Sequence, residues 1–226
     1  MQRPHVIVHA MLSADGRLDH FSGDVGLYYE AAGTLPHDAV LSGSATFLAA
    51  AAEHGVDLAG EDPIPSGGPV PPAGSPDAPL LVIVDSGGRL TRFDWLVAVP
   101  YWRGILVACS AATPAVHLGL LERHAIPCVV AGAERVDLGG LLEVLAAEHG
   151  VKRVRVDSGG TLNGALLRAG LVDEISLLVA PYAVGGQTPS GLFVADDLVD
   201  GEPVGLELQG LERLRGDTVW LRYAVR

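Results

Sequence analysis

The amino-acid sequence predicts an α/β fold in which a mostly parallel central sheet is flanked by helices and ends in a C-terminal antiparallel hairpin. Two observations support this prediction. Short, apolar, β-branched runs alternate along the chain with segments of good helix formers, an order typical of parallel sheets. Near the end, residues 205–214 and 218–225 alternate apolar and polar side chains around Arg215-Gly216-Asp217, which is typical of a hairpin.

The first third of the chain supplies the first two strands and a long loop. Residues 6–11 predict a first, central strand that ends at the turn Ser13-Ala14-Asp15-Gly16. Residues 39–41 predict a second strand, which the turn Ser42-Gly43-Ser44 connects to a helix over 45–52. Residues 55–79 contain seven prolines and five glycines, so we expect a long surface loop there.

The remainder of the chain repeats the strand, turn and helix pattern. The predicted strands lie at 80–84, 104–109, 126–130, 152–156 and 175–180. The predicted helices begin after Thr113-Pro114, run from an Asp137 N-cap to Gly150, and cover 161–169. A chain of 226 residues with this pattern is expected to form a single domain over 1–226.

Composition limits the classes of partner. The chain has 15 Lys and Arg against 27 Asp and Glu, a net charge of −12, so nucleic acid and anionic membrane surfaces are not expected partners. Lys152 is the only lysine, which excludes a phosphate loop ending in Gly-Lys-Ser/Thr. The eight histidines lack metal-ligand spacing, so no metal site is expected. Cys109 and Cys128 lie in apolar runs and predict buried thiols.

The same sequence predicts a cytoplasmic protein. Its N-terminal apolar stretch is too short and too polar for a signal peptide. Nowhere do 18 consecutive apolar residues occur, so no membrane span is expected. Unpaired buried thiols agree with a reducing compartment.

Glycine with small polar residues follows several predicted strands, where a parallel sheet places its functional loops. The four turns are at 13–16, 42–44, 85–88 and 157–161. The last begins a helix after two glycines, and the free amides of a helix N-terminus favour a pyrophosphate. Each turn also has a purely structural interpretation: a tight connection, an N-cap serine, or an Asx turn. His9 either points into such a site or is a hydrogen-bonded core histidine.

Four segments resemble the riboflavin-pathway pyrimidine reductases, the family of the reductase domain in bifunctional deaminase-reductases. The segments are residues 6–17 (VIVHAMLSADGR), 38–46 (DAVLSGSAT), 157–174 (DSGGTLNGALLRAGLVDE) and 180–186 (APYAVGG). The last two are fairly specific together. The likeness covers nearly the whole chain and is loose between residues 50 and 80.

The resemblance implies a dihydrofolate-reductase-like fold, NADPH as cofactor, a homodimer, and reduction of a small-molecule substrate. The family substrates are 5-amino-6-(5-phosphoribosylamino)uracil and 2,5-diamino-6-ribosylamino-pyrimidinone 5′-phosphate, whose ribose becomes a ribityl chain. The cofactor-binding residues carried over are Gly43, Thr46, Asp85, Ser86, Gly159, Gly160, Thr161 and Leu162. The catalytic candidates are His9, Asp15 and Asp157, and Ser13 and Tyr29 are expected to bind substrate.

Departures from the family pattern concern the substrate side. His9 replaces Lys or Asn, the pair Tyr28-Tyr29 replaces Thr or Ser, and Asp157 replaces Glu. The proline-rich loop also lacks arginine, which leaves a substrate phosphate without an evident anchor. The sequence therefore allows a different small heterocyclic substrate, and the alternative is a non-catalytic nucleotide-binding paralogue. A clamp for a cofactor 2′-phosphate could be Arg89, Arg92, Arg103 or none of them.

Overall fold

The computed structural model describes residues 3–58, 73–187, 191–197 and 202–226. Its contacts divide the chain into two compact units, a first unit of Met1–Pro4 with His37–Lys152 and a second unit of His5–Pro36 with Arg153–Arg226. Most of the predicted 55–79 loop, residues 59–72, lies outside the described residues, and neither 55–58 nor 73–79 forms a helix or strand.

In its described residues, the first unit is a parallel sheet with four helices. In sheet order its strands are β5 (Cys128–Val130), β4 (Gly104–Cys109), β3 (Leu80–Val84) and β2 (Ala39–Gly43). The helices are α2 (Ser44–Glu53), α3 (Asp94–Val97), α4 (Ala115–Arg123) and α5 (Leu138–His149). Each neighbouring pair of these strands is parallel, as the alternation of apolar strands and helices predicts.

The core of the first unit forms because β3 and β4 are apolar on both faces. Ile83 and Val107 are fully buried and pack in one cluster with Phe93 and Leu121. Asp137 caps α5 by accepting from the amides of Gly139 and Gly140, and Gly150 ends that helix in the left-handed conformation (φ 65°), both as predicted.

As far as the structure describes it, the second unit is a mixed sheet with two α-helices. In sheet order its strands are β6 (Arg153–Val156), β1 (His5–Ser13), β7 (Glu174–Ala180), β9 (Val219–Val225) and β8 (Leu206–Arg213). The helices are α1 (Val25–Thr34) and α6 (Gly160–Arg168). Strands β6, β1 and β7 run parallel, whereas β9 pairs antiparallel with both β7 and β8. The predicted α/β class with a C-terminal antiparallel hairpin is confirmed.

Helix α1 was not predicted from the sequence patterns. It covers one face of the sheet of the second unit. Ala31 of this helix and Leu35, the C-cap residue that follows it, pack in a cluster with Ile7, Leu178 and Trp220 from the strands. The helix begins at an Asp24 N-cap, whose carboxylate accepts from the Leu27 amide at 2.8 Å.

A β-bulge shifts the register of the terminal hairpin between Leu208 and Gly210. Leu208 faces Tyr223 and Leu211 faces Leu221, so the bulge places both leucines on one face of the sheet. Leu206 shares that face because it lies two residues before Leu208 in an uninterrupted register. All three leucines are exposed.

One packing prediction was wrong. Cys109 is buried, but Cys128 is exposed because β5 is the last strand of the first unit's sheet. A hydrogen bond with Cys128, together with burial, raises the pKa of the Cys109 thiol. In the described part of the chain no helix has the length and apolar composition needed to cross a bilayer.

Candidate functional site

The glycine turn after β6 leads directly into α6 and leaves the first amides of that helix available. The N-cap residue is Gly159, an exposed glycine that has no side chain with which to cap the helix. A helix N-terminus without a side-chain cap offers donors and a positive dipole end to an anion. Thr161 is exposed beside these amides, whereas Leu162 is buried and anchors the helix.

The two glycines of this turn have different reasons for being glycine. A Cβ on Gly159 would meet nothing within 4 Å, so this position faces open space. A Cβ on Gly160 would lie 2.3 Å from the carbonyl oxygen of Gly191 and 2.7 Å from a Val194 methyl. Gly160 is therefore required by close packing of the chain against itself, and Gly159 is the glycine a ligand can approach.

Asp15 holds together two loops of the second unit. Its carboxylate accepts from the Ser13 hydroxyl at 2.6 Å and from the amides of Val184 at 3.0 Å and Gly185 at 2.7 Å. These hydrogen bonds, the one from Ser13 first, hold the pKa of Asp15 well below its ordinary value of 3.8. Asp15 is thus a permanently ionised clamp in a loop at the carboxyl ends of β1 and β7, and Ser13 is buried beneath it.

His9 lies beneath α1. It is 1% exposed, and its ring centroid lies 4.5 Å from that of Tyr28. Nε2 is 3.3 Å from the Tyr28 carbonyl oxygen, and Nδ1 is 3.0 Å from the Ser176 hydroxyl, which accepts from the Trp220 indole at 2.8 Å. A neutral ring with its proton on Nε2 completes this chain of donors. His9 therefore lies in the core, which is one of the two positions that the sequence allowed. A role for His9 as proton donor stays a prediction.

Tyr28 connects this buried chain to Asp157. Its hydroxyl donates to the His9 carbonyl at 3.4 Å, and Asp157 is near enough for its charge to act on that hydroxyl. Burial first, and the charge of Asp157 second, hold the pKa of Tyr28 well above its ordinary value of 10.0. The neighbouring Tyr29 is 57% exposed and meets Tyr28 edge to face. The aromatic residue that contacts His9 and lies near Asp157 is therefore Tyr28.

In the first unit, the predicted cofactor residues lie at the carboxyl ends of β2 and β3. Gly43 is the N-cap of α2, and Thr46 lies half-buried in its first turn. Asp85 is 1% exposed, and its carboxylate accepts from the amides of Arg89 at 2.7 Å and Leu90 at 2.9 Å. The side chain of Asp85 therefore stabilises its own loop.

Ser86 also contributes to the structure of this loop. Its hydroxyl accepts from the Val136 amide at 3.0 Å, and its carbonyl accepts from Thr113 at 2.9 Å. His117 lies behind the loop, 3.8 Å from the Asp85 carboxylate. Burial lowers the pKa of His117 from 6.5, and the charge of Asp85 opposes that effect only in part.

The three arginines considered for a cofactor phosphate occupy different places. Arg103 precedes β4 and donates to the Asp38 and His149 carbonyls, so it lies at the opposite edge from the glycine turns. Arg92 is paired with the Asp94 carboxylate at 2.7 Å. Arg89 reaches the Ser44 hydroxyl at 2.9 Å, at the start of α2. Only Arg89 of these three adds its charge to a predicted cofactor loop.

Sequence reasoning missed Arg155 as a residue of this region. Arg155 lies on β6, two residues before Asp157, and its guanidinium is 3.9 Å from that carboxylate. An arginine between two buried valines on a short strand was a visible signal, because a charge at such a position needs a partner. Among the described residues no group of three or more His, Cys, Asp or Glu side chains could hold a metal ion.

A parallel sheet with glycine turns and an uncapped helix N-terminus is the arrangement of nucleotide-binding α/β proteins. The chain belongs to the family of the RibD C-terminal domain, whose model matches residues 4–220. It is 32% identical over 217 residues to the 2,5-diamino-6-ribosylamino-4(3H)-pyrimidinone 5′-phosphate reductase of Methanothermobacter thermautotrophicus, covering 89% of this chain and 86% of that protein.

A second relative and several solved structures agree with this family. The reductase of the same name from Archaeoglobus fulgidus is 37% identical over 109 residues, 48% of each chain. A pyrimidine reductase-like protein from Corynebacterium diphtheriae has a TM-score of 0.67 at 19% identity, over 99% of this chain and 92% of that one. The riboflavin biosynthesis reductase of Saccharomyces cerevisiae has a TM-score of 0.66, again at 19% identity, over 99% and 90%.

The chain also has the fold of part of a longer protein. RibD of Acinetobacter baumannii has a TM-score of 0.63 at 17% identity, and the match covers 99% of this chain but 58% of that one. These structural matches establish a common fold.

Proposed function

We propose that this protein is an NADPH-dependent reductase that converts the ribose of a pyrimidine ribosylamine 5′-phosphate into a ribityl chain. The observation that carries the proposal is the uncapped N-terminus of α6 behind Gly159, in a chain whose curated relative over 89% of its length is named as such a reductase. The curated relatives give no support to a binding protein without catalysis.

The proposed cofactor residues are assigned within each unit by itself. In the second unit, the amides of Gly160, Thr161 and Leu162 would bind the pyrophosphate, and Gly159 leaves room for it. In the first unit, Gly43 and Thr46 at the start of α2 would contact phosphate oxygens. Asp85 and Ser86 would shape the loop on the adenosine side through the hydrogen bonds described above. NADPH, when bound, supplies the hydride.

On the substrate side we assign positions and orientations to this chain's own residues. Asp157 would accept hydrogen bonds from the substrate, and the Asp15 clamp with Ser13 would fix the loop that borders it. Tyr29, which is exposed, would contact the substrate from α1. His9 would hold Tyr28 in place from below, and its assignment as proton donor requires a movement of α1 that exposes the ring.

The preference for NADPH over NADH is proposed to depend on Arg89. Its guanidinium contacts the Ser44 hydroxyl, and it lies where the dipole of α2 also favours an anion. A 2′-phosphate on the cofactor would receive charge-assisted hydrogen bonds there, each contributing about 1.5 to 3 kcal/mol.

The proposed activity is tested by following the absorbance of reduced nicotinamide while the protein is mixed with either family substrate. We expect consumption of NADPH that depends on substrate. Arg89→Met should raise the KM for NADPH at least tenfold and leave that for NADH within about twofold. Arg103→Met is the matched control, because Arg103 lies at the opposite edge of the same sheet. NADPH that binds but is not oxidised with either substrate would contradict the proposal.

We further propose a cytoplasmic homodimer. Support for the dimer comes from Leu206, Leu208 and Leu211, which the bulge aligns on one face of an edge strand. An exposed apolar row on an edge strand is a surface that another chain commonly covers. Two cysteines without a disulfide agree with a reducing compartment. The organisation of residues 1–226 as one reductase domain remains part of the proposal.

A further inference from the structure

The first unit contains a pocket of about 250 Å³ at the amino ends of β4 and β5. The predicted cofactor residues of this unit follow the carboxyl ends of β2 and β3, so the pocket lies at the opposite edge of the same parallel sheet. Its apolar wall comes from α3 and from the residues around the starts of the two strands: Leu96, Val97, Trp102, Ile105, Ile126 and Pro127. A wall of this composition favours a small, mostly apolar ligand.

The polar ring in this pocket belongs to His124, which is 7% exposed. His124 is the C-cap of α4, and its backbone amide donates to the Leu120 carbonyl at 3.1 Å, which fixes its place in the wall. Nδ1 is buried, and neither ring nitrogen has a hydrogen-bond partner among the described residues. Burying an imidazole costs free energy unless its nitrogens are hydrogen bonded, so a ligand that supplies such a bond gains affinity here.

The charged group beside the pocket is already engaged by the protein. Arg103 donates from Nη1 to the Asp38 carbonyl at 3.1 Å and from Nη2 to the His149 carbonyl at 3.4 Å. The ligand therefore needs no carboxylate to satisfy this guanidinium. What the pocket offers a ligand is an apolar wall and one imidazole.

The size and the imidazole together define the ligand. An apolar cavity of roughly 150 Å³ holds benzene, so this pocket has room for one aromatic ring with a substituent. A neutral imidazole has one donor nitrogen and one acceptor nitrogen. A hydroxyl group both donates and accepts, so it can pair with His124 in either tautomer.

We propose that this pocket binds a small, uncharged aromatic molecule that carries a hydroxyl group. The ring packs against Trp102, and the hydroxyl is hydrogen bonded to His124. This site is separate from the proposed reductase site, and its test does not depend on turnover.

The test titrates phenol and benzene into the full-length protein and follows the indole N–H signals of its three tryptophans by NMR. The spectrum of Trp102→Phe identifies the signal of Trp102. We expect phenol to shift that signal saturably and to bind at least threefold more tightly than benzene, because the hydrogen bond to His124 adds to the burial of the ring. The signal of Trp220, which belongs to the second unit, should not change.

A substitution of the histidine tests its role directly. His124→Phe keeps an aromatic ring and removes both nitrogens, so benzene should bind this variant more tightly than phenol does, the reverse of the wild-type order. His54→Phe is the matched control, because His54 is also the C-cap of its helix, α2, but is exposed. It should keep the wild-type order and affinities. Thermal unfolding shows whether each variant is folded before it is titrated.

The two probes on the wild type decide the proposal even where His124→Phe does not fold. The absence of a saturable shift with either probe would overturn it. Benzene that binds the wild type as tightly as phenol would show a purely apolar cavity and would also overturn it. Benzoate that binds more tightly than phenol would show that the charge of Arg103 governs the site, which contradicts an uncharged ligand.

Discussion

Replacing Gly160 by alanine should destabilise the protein, and the same change at Gly159 should not. The added Cβ at Gly160 would lie 2.3 Å from the Gly191 carbonyl oxygen, so it must move roughly 1 Å to reach a normal non-bonded separation. The obstacle is backbone, and it is fixed by a hydrogen bond of 2.9 Å from the Val194 amide to the Gly160 carbonyl. Neither partner can therefore move alone.

The size of the effect follows from overpacking. Inserting a methyl group into a well-packed contact costs about 1 to 3 kcal/mol, and about 2 kcal/mol lowers the melting temperature of a chain of this size by roughly 4 to 8 °C. Gly159 has an extended backbone (φ −73°, ψ 170°) that alanine adopts, and nothing lies within 4 Å of its Cβ position. Gly159→Ala should stay within about 1 kcal/mol of the wild type.

The two variants are compared by calorimetry and by NADPH titration. Gly160→Ala should melt earlier, whereas Gly159→Ala should keep its melting temperature and bind NADPH at least tenfold more weakly, since its methyl group would occupy the approach to the helix amides. A Gly160→Ala protein as stable as the wild type would refute the packing argument. A Gly159→Ala protein with unchanged NADPH affinity would refute the cofactor assignment.

Two further predictions concern pH and assembly. The pKa of His117 is below 6.5 in the folded protein, so the unfolded chain binds this proton more readily as the pH falls through that value. The free energy of unfolding of the wild type should therefore decrease between about pH 7.5 and 5.5. Denaturant unfolding of His117→Gln should show a smaller loss over that interval, and parallel curves for the two proteins would contradict the assignment. Light scattering at micromolar concentration should give about twice the chain mass of 23.4 kDa, and Leu211→Lys should reduce this to the monomer value. A wild-type monomer, or an unaffected dimer in the variant, would exclude this interface.

Much of the fold could be predicted from the sequence because its signals are local. Strands such as 80–84 are uninterrupted apolar runs, and Asp137 and Gly150 mark the ends of α5 by capping rules that need no tertiary information. Helix α1 escaped prediction because Gly26, Gly33 and the aromatic pair Tyr28-Tyr29 lower its intrinsic helix propensity. Cys128 was assigned to the interior because its neighbours are apolar, but the edge position of β5 depends on sheet order.

The sequence indicated which loops form the candidate site, but it did not indicate which contacts the residues of those loops make. The glycine turns indicated where a ligand could approach, but the sequence could not distinguish Gly159, which is open, from Gly160, which is packed. That distinction depends on the packing of residues 191–194 against the start of α6. In the same way, which of Tyr28 and Tyr29 contacts His9 depends on the face that α1 turns toward β1. Arg155 lies beside Asp157 because residues two apart along a strand point to the same face.

The second unit is discontinuous in the chain, and this has a consequence for synthesis on the ribosome. Strand β1 obtains its parallel neighbours β6 and β7 only after residues 37–152 have been made, since Val8 pairs with Val156 and Ile175. At about 5 to 20 residues per second, an apolar strand waits on the order of ten seconds or more without a partner. The first unit, by contrast, is continuous from His37 and can close its own sheet during that interval. Newly made chains therefore expose β1 to chaperones for longer than any other strand in the described residues.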